Sequence, residues 1–221
     1  MARFAVAPAH LAHLCYFLLV QAGDTKRTFI ETARRAQIVD AAIEAIAELG
    51  YRKASFAQIA RRAGLSSTGL ISYHFASRDE LVGQVVEQIL ETIGAYVGER
   101  FASAQALGAA DALRTYIEAN VEFIDGHRVE MRALMEIFIA GGFEYGGEQE
   151  TAVLTPLEQI LRRGQRAGEF RRFDTKVMAA LIQRAIDGLP FMLAHDPELD
   201  VPAYGAEAAT VFELATRGGK R

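Results

Sequence analysis

The sequence predicts an all-α fold, and three observations carry that prediction. Apolar residues recur at helical spacing along most of the chain, and the breaks between these stripes are short and rich in Gly, Asp or Pro. No stretch reads convincingly as a strand. With 221 residues, 51% of them hydrophobic, the chain can bury one large core or two small ones.

The elements follow in order. A first helix is predicted over about 32–49, with Val39, Ile43, Ile46 and Ala47 on one face and Gly50 as its stop. Ser55 is placed to cap a second helix whose Phe56, Ile59, Ala60 and Ala63 share inward spacing. Gly64 supplies the turn residue wanted between two steeply crossing helices. A short third helix is expected over about 67–75, its inner side anchored by Leu70 and Phe75. Ser77, followed by Arg78, Asp79 and Glu80, reads as an N-cap with acids in the first turn and Glu80 at the capping-box position. The long fourth helix then carries Leu81, Val85, Ile89, Ile93 and Val97. Later helices are predicted at about 107–125, 127–141, 150–167, 174–195 and 202–216. Their separators are Asp125-Gly126, GGFEYGG (141–147), GEFRRFD (168–174) and HDPELDVP (195–202).

Net charge is −4, which alone does not point to nucleic acid, but its distribution is uneven. Residues 26–78 hold nine Lys/Arg against four Asp/Glu, a net of +5. Residues 79–221 hold fourteen against twenty-three, a net of −9. A basic module leading into an acidic one implies a polyanion partner for the first part only. The predicted organisation is therefore an extension at 1–25, a DNA-binding domain at 26–78, and a second helical domain at 79–221. The single cysteine, Cys15, excludes an internal disulfide framework and fits a reducing, cytoplasmic setting. Residues 1–25 include HLAHLCYFLLVQAG, too short to span a bilayer, where about 20 apolar residues are needed. Read as a disordered or loosely packed extension, it also has the apolar core of a secretory signal, against which stands the basic module that follows. No membrane partner is expected.

Two helices joined by a tight turn, the second short and polar outside, describe a helix-turn-helix DNA reader, and equally an ordinary pair in a bundle. A helix can enter the major groove only if its leading residues are small or can hydrogen-bond base edges. Ser66, Ser67, Thr68, Gly69 and Ser72 meet that demand. Ser55, Gln58 and Arg78 lie at helix N-termini, where phosphates are held, and Lys26, Arg27, Arg34 and Arg35 are candidates for an arm or first-helix contact. Of Arg61 and Arg62, only one is expected to face DNA, because neighbouring helical positions diverge.

The residues go further than the spacing. FAQIARRAGLSSTGLISYHFASRDELV (56–82) resembles the N-terminal domain of TetR-type (tetracycline-repressor-like) transcriptional regulators. The matching positions are Ser55, Ile59-Ala60, Ala63-Gly64-Leu65-Ser66, Gly69-Leu70-Ile71, Tyr73-His74-Phe75 and Ser77-Arg78-Asp79-Glu80-Leu81, and with the preceding helix the likeness spans about 32–90. Between Gly64 and Tyr73 the chain is one residue longer than the common pattern, leaving Ser66 or Ser67 to begin the recognition helix. Arg78 stands where the family usually has lysine.

The resemblance implies that Tyr73 and His74 lie at the DNA edge. It also implies that the second domain holds a small-molecule effector, with Tyr96, Tyr116, Phe123, Met131, Met135 and Phe138 as candidate pocket residues and Asn120 as a candidate polar contact. The same stripe would serve as plain core, and Asn120 as a surface residue. His127 is expected at an exposed helix start and His195 at a helix end. The last two helices carry Val177, Leu181, Ala185 and Leu189, then Tyr204, Ala208, Val211, Phe212 and Ala215, the pair that builds the family's homodimer. The resulting expectation is a homodimeric repressor released from a palindromic double-stranded operator by a small molecule, without cofactor or metal. Activation stays open, because sequence does not record where an operator sits. An enzyme is disfavoured, since Cys15 has no partner and the acids sit at exposed helical spacing. A helical ligand carrier is disfavoured by the basic stretch.

Overall fold

The protein is described here by a computed structural model covering residues 29–104, 108–143 and 148–218. Its described residues form helices α1 (Phe29–Leu49), α2 (Phe56–Arg62), α3 (Gly69–His74), α4 (Arg78–Ala104), α5 (Ala109–Gly126), α6 (Arg128–Ile139), α7 (Glu148–Ala167), α8 (Thr175–His195) and α9 (Val201–Thr216). They contain no strand, only an isolated antiparallel bridge between Phe170 and Arg217. The fold is all-α, as the apolar periodicity requires.

α1 is buried on most sides between 38 and 47. Ile38, Val39, Ala41, Ala42, Ile43, Ala45, Ile46 and Ala47 are all within the core. Four alanines in ten residues let α2, α4 and α6 approach it closely, so the helix has a broad buried surface and not a single stripe. It ends at Gly50, whose φ of 82° is open to a residue without Cβ. α2 starts with Ser55 as N-cap, its hydroxyl accepting from the Gln58 amide at 3.4 Å. It ends in a Schellman turn: Leu65 N–H donates to Ala60 O at 2.8 Å, Gly64 N–H to Arg61 O at 3.2 Å, and Gly64 has φ 65°.

α4 also begins as the sequence indicates, with a small change of register. Ser77 Oγ accepts from the Glu80 amide at 3.0 Å, while the Glu80 carboxylate accepts from Ala76 N–H at 2.7 Å, one residue before the usual capping-box donor. α5 has only Gly108 at its N-cap and borrows its acceptor from elsewhere. Glu169, between α7 and α8, accepts from Ala109 N–H at 2.8 Å and Ala110 N–H at 3.1 Å. A negative charge belongs at that helix end.

Buried side chains form two clusters. The first joins α1, α2, α3, the front half of α4 and, from the far side, Ala133, Leu134 and Ile137 of α6. The second joins α5, α7, α8 and α9. Met131 packs against both. α9 crosses α5 closely enough that a Cβ on Gly205 would lie 3.0 Å from Val121 Cγ1. α8 is long and apolar enough to cross a membrane by composition, but Met178, Ala179, Ile182, Ile186 and Leu189 are spent on the second cluster.

His127 differs from its expected place at an exposed helix start. It closes α5 and opens α6 in a single residue, is half-buried, and stacks on Phe123 with centroids 3.9 Å apart and planes at 7°. The turn is so tight that the ring folds back onto the preceding helical turn. His195 does end α8, with Nδ1 3.2 Å from Phe191 O.

Gly164 in α7 lies directly beneath the Phe170 ring, where a Cβ would come within 2.1 Å of Cδ2. Gly→Ala within a helix ordinarily stabilises by up to about 1 kcal/mol. Here the clash reverses the sign. Gly164→Ala is expected to destabilise the protein by about 1–3 kcal/mol, measured as a lower urea midpoint.

Candidate nucleic-acid interface

α3 has six residues, too few to be stable alone, so its attitude has to come from outside. Ile71 (0% exposed) and Phe75 (1%) anchor it in the first core. Leu70 does not share that role: it is 38% exposed, because positions 71 and 75 are one turn apart and position 70 is rotated away from them. The helix also begins later than expected. Thr68 is the N-cap, with φ −67° and ψ −20°, and both Ser66 and Ser67 precede it in the turn. The extra residue after Gly64 lengthens the loop and not the helix.

The outer side is polar and open. Ser66, Ser67, Thr68, Gly69, Ser72 and Tyr73 are exposed. Among the described residues, the four hydroxyl groups of Ser66, Ser67, Thr68 and Ser72 have no hydrogen-bond partner, and Thr68 does not cap its own helix. Tyr73 stands 73% exposed, edge-on to His74 with centroids 5.0 Å apart. His74 is half-buried. A short rod with unspent donors and acceptors outside and an apolar inner side has the form that reads base edges.

A buried cation fixes the rod. Arg35 of α1, its side chain only 10% exposed, donates to the His74 carbonyl at the end of α3. The same guanidinium reaches Glu80 Oε1 at 3.4 Å and Gln84 Oε1 at 3.3 Å on α4, and lies 4.1 Å above the Phe75 ring. One side chain thereby ties α1, α3 and α4. Gln37 adds a second tie, donating from Nε2 to the Ala63 carbonyl at 2.7 Å, where α2 ends. Arg35 is therefore an internal clasp and not a first-helix DNA contact. Its spacing to Ile38, Val39 and Ala42 on the buried side of α1 was the available signal.

The remaining cations divide. Arg34 is half-buried and donates to Gln37 Oε1 at 2.7 Å. Arg62 is paired with Glu44 and Glu48 of α1, the former at 3.4 Å. Arg61, Arg52 and Lys53 are exposed and carry no ion pair among the described residues. Arg78 is turned inward: it donates to the Tyr51 carbonyl and its guanidinium carbon sits 4.3 Å over the Tyr51 ring. Ser55 and Gln58 lie together at the start of α2. Lys26, Arg27 and the extension at 1–25 fall outside the described residues.

The seven effector-site candidates lie on α4, α5 and α6. Tyr116 and Asn120 are buried and mutually committed, with Tyr116 Oη donating to Gln183 Oε1 at 3.0 Å and Asn120 Nδ2 to Tyr116 O at 2.8 Å. Phe123 is fully buried beneath His127 and meets Tyr96 edge-on at 5.4 Å. Tyr96 also lies 3.6 Å under Arg100, which pairs with Glu122 at 3.0 Å. Desolvation, then the Glu122 carboxylate, raises the Tyr96 phenol above its ordinary range, and the Arg100 hydrogen bond lowers Glu122. Met131, Met135 and Phe138 are half-buried on α6, with Phe138 6.1 Å from Phe143. An open cleft of about 270 Å³ lies between α1 and α4, lined by Thr32, Arg35, Ala36, Val39, Gln84, Glu87, Gln88 and Glu91.

A family profile described as "Bacterial regulatory proteins, tetR family" matches residues 38–85, the stretch from α1 into α4. The HTH-type transcriptional regulator BetI of Escherichia coli K12 is 29% identical over 146 residues, covering 65% of this chain and 71% of the relative. The BetI of E. coli O17:K52:H18 is 33% identical over 104 residues, and there the match spans about half (53%) of the relative's length. Among solved structures, a putative TetR-family transcriptional regulator from Rhodococcus sp. superposes with a TM-score of 0.72 at 21% identity, over 82% of this chain and 98% of that one. FadR from Bacillus subtilis, solved in complex with stearoyl-CoA, gives 0.66 at 21% identity over 80% and 96%.

Arg35→Met is expected to remove one charged donor from the His74 carbonyl and one from the Glu80 carboxylate, which keeps the Ala76 amide. The cost is about 1–3 kcal/mol of folding stability, read from urea unfolding.

Proposed function

We propose that this chain is a member of the tetR family of bacterial regulatory proteins and a ligand-responsive DNA-binding transcriptional regulator acting as a homodimeric repressor in the cytoplasm. The observation that carries the reading is the outward face of α3. Ser66, Ser67, Thr68 and Ser72 keep their hydroxyl groups free while Ile71, Phe75 and Arg35 hold the helix from behind. Ser55, Gln58 and the unpaired Arg61 flank that face and fit phosphate contacts, with Tyr73 and His74 at its far edge. Arg34 serves this interface from α1.

A two-fold protein suits a palindromic operator, and the last two helices supply a surface for one. Val177, Leu181, Phe191 and Met192 on α8, with Val211 and Leu214 on α9, are large apolar side chains left in solvent. Exposed apolar surface of this kind marks an interface. Covered by a second copy, it gives a four-helix bundle that holds two α3 helices about 34–36 Å apart, one turn of DNA.

The effector acts by preferring a conformer in which that spacing is lost. Its entry lies between α4, α5 and α6, where Tyr96, Met131, Met135 and Phe138 are only partly buried. Tyr116, Asn120 and Phe123, being packed, would have to separate to admit it. Moving the balance from 1:99 to 99:1 needs about 5.5 kcal/mol of differential binding. FadR's stearoyl-CoA supports an apolar effector here by analogy of fold.

Genome-wide footprinting is the deciding experiment. It is expected to find a palindromic site whose affinity falls steeply with salt, and the absence of any preferred site at low salt would end the proposal. Thr68→Ala is expected to change base preference at one operator position. Arg61→Ala should instead weaken all sequences alike and reduce the salt slope by about 1, measured by anisotropy across a salt series. Tyr73→Ala should leave stability within about 0.5 kcal/mol of the parent while lowering operator affinity, since the ring is exposed.

A further inference from the structure

α6 belongs to the second domain by sequence, yet it packs along α1 and ends against the turn that follows α1. Two contacts define that meeting. A Cβ on Gly50 would lie 3.2 Å from Glu136 Oε2. A Cβ on Gly142 would lie 2.5 Å from Tyr51 Cζ and 2.8 Å from its hydroxyl oxygen, so the ring occupies the space a side chain there would need. Gly142 has no left-handed φ, so its requirement for glycine is spatial alone.

Gly142 is itself rigidly placed. α6 ends in a Schellman turn in which Gly141 (φ 68°) donates to Phe138 O at 3.1 Å and Gly142 donates to Ile137 O at 2.9 Å. A shift of α6 along its axis therefore carries Gly142 with it. Tyr51 is also held by Arg78, whose guanidinium carbon lies 4.3 Å over the ring and which donates to the Tyr51 carbonyl. A planar guanidinium can do both at once. Arg78 is the first residue of α4, three residues beyond Phe75, where α3 is anchored.

We propose that Tyr51, clamped between Gly142 and Arg78, is the link through which α6 sets the attitude of the α3–α4 elbow, making it a positioning residue for operator recognition. The inference rests on the DNA-binding reading above. Its physical basis is a line of close contacts, α6 end to ring to guanidinium to elbow. Packed networks of this kind pass small displacements on as discrete rearrangements.

The test uses the full chain and the operator identified by footprinting. Wild type, Gly142→Ala, Tyr51→Ala and the double variant are titrated against that operator and against versions with the half-sites moved by one base pair, with melting temperatures taken in parallel. Gly142→Ala is expected to weaken the native operator at least about tenfold and to shift preference toward an altered spacing. In the Tyr51→Ala background the added methyl meets no ring, so the double variant should behave as Tyr51→Ala alone. Wild-type affinity and spacing preference for Gly142→Ala, additive effects, or an equal loss at every spacing that simply follows a lower melting temperature would each overturn the proposal. Should Gly142→Ala not fold, Tyr51→Leu removes the ring without intrusion, and an unchanged spacing preference there overturns it equally. If wild type binds no operator at all, it is the DNA-binding reading that has failed.

Discussion

The Arg35 guanidinium is the constraint on which the rest of the front module depends. A six-residue helix has almost no intrinsic stability, and its exposed face must stay free of internal commitments if it is to touch anything else. Its orientation is therefore borrowed. Ile71 and Phe75 fix its depth in the core, while Arg35 holds its final carbonyl and joins it to Glu80 and Gln84 on α4. Burying a cation is costly unless it is paired and hydrogen-bonded, and here the carboxylate, the amide, the carbonyl and the aromatic face meet that requirement together. Loss of any one partner leaves the others poorly satisfied, which makes the clasp a fixed geometry and not a flexible surface pair.

From that clasp the architecture extends outward through α1. Its alanines allow three helices to lie close, and one of those, α6, reaches in from the second domain to complete the first core. Met131, packed against both clusters, and the Gly50–Tyr51 turn, resting on Glu136 and Gly142, give the two halves of the molecule a shared boundary. A change in the packing of α6 thus bears on the front module directly. Of the cations in residues 26–78 that the structure describes, Arg52, Lys53 and Arg61 are exposed and unpaired, while Arg62 is neutralised by Glu44 and Glu48 and Arg35 is withdrawn inside.

The second domain shows the opposite economy. Its core is closed by local devices: Glu169 capping α5, Phe170 seated on Gly164, and Arg114 of α5 pairing with Glu213 of α9 at 2.6 Å. Its surplus apolar surface is displayed on α8 and α9. The partly buried aromatic and methionine side chains Tyr96, Met131, Met135 and Phe138 lie along α4 and α6.

The sequence by itself determined the all-α class, the order of helices, the Ser55 and Ser77 caps, the Gly64 turn and the polar character of α3. All of these follow from local rules: apolar spacing, side-chain acceptors at helix starts, and the backbone freedom of glycine. Tertiary structure decided which residues those rules leave ambiguous. Arg35 and Arg34 are neighbours of identical chemistry, and only the approach of α3 and α4 to one side of α1 makes the first a buried clasp. Leu70 and Ile71 are equally apolar, and the start of α3 at Gly69 selects which one faces inward. Asn120 and His127 looked like surface groups because their partners, Tyr116 and Phe123, are one turn away on the same helix and become buried only when other helices cover them. Arg78 and Gly142 are 64 positions apart, too distant for any local pattern to join, and it is the Tyr51 ring lying between them that brings them to the same contact.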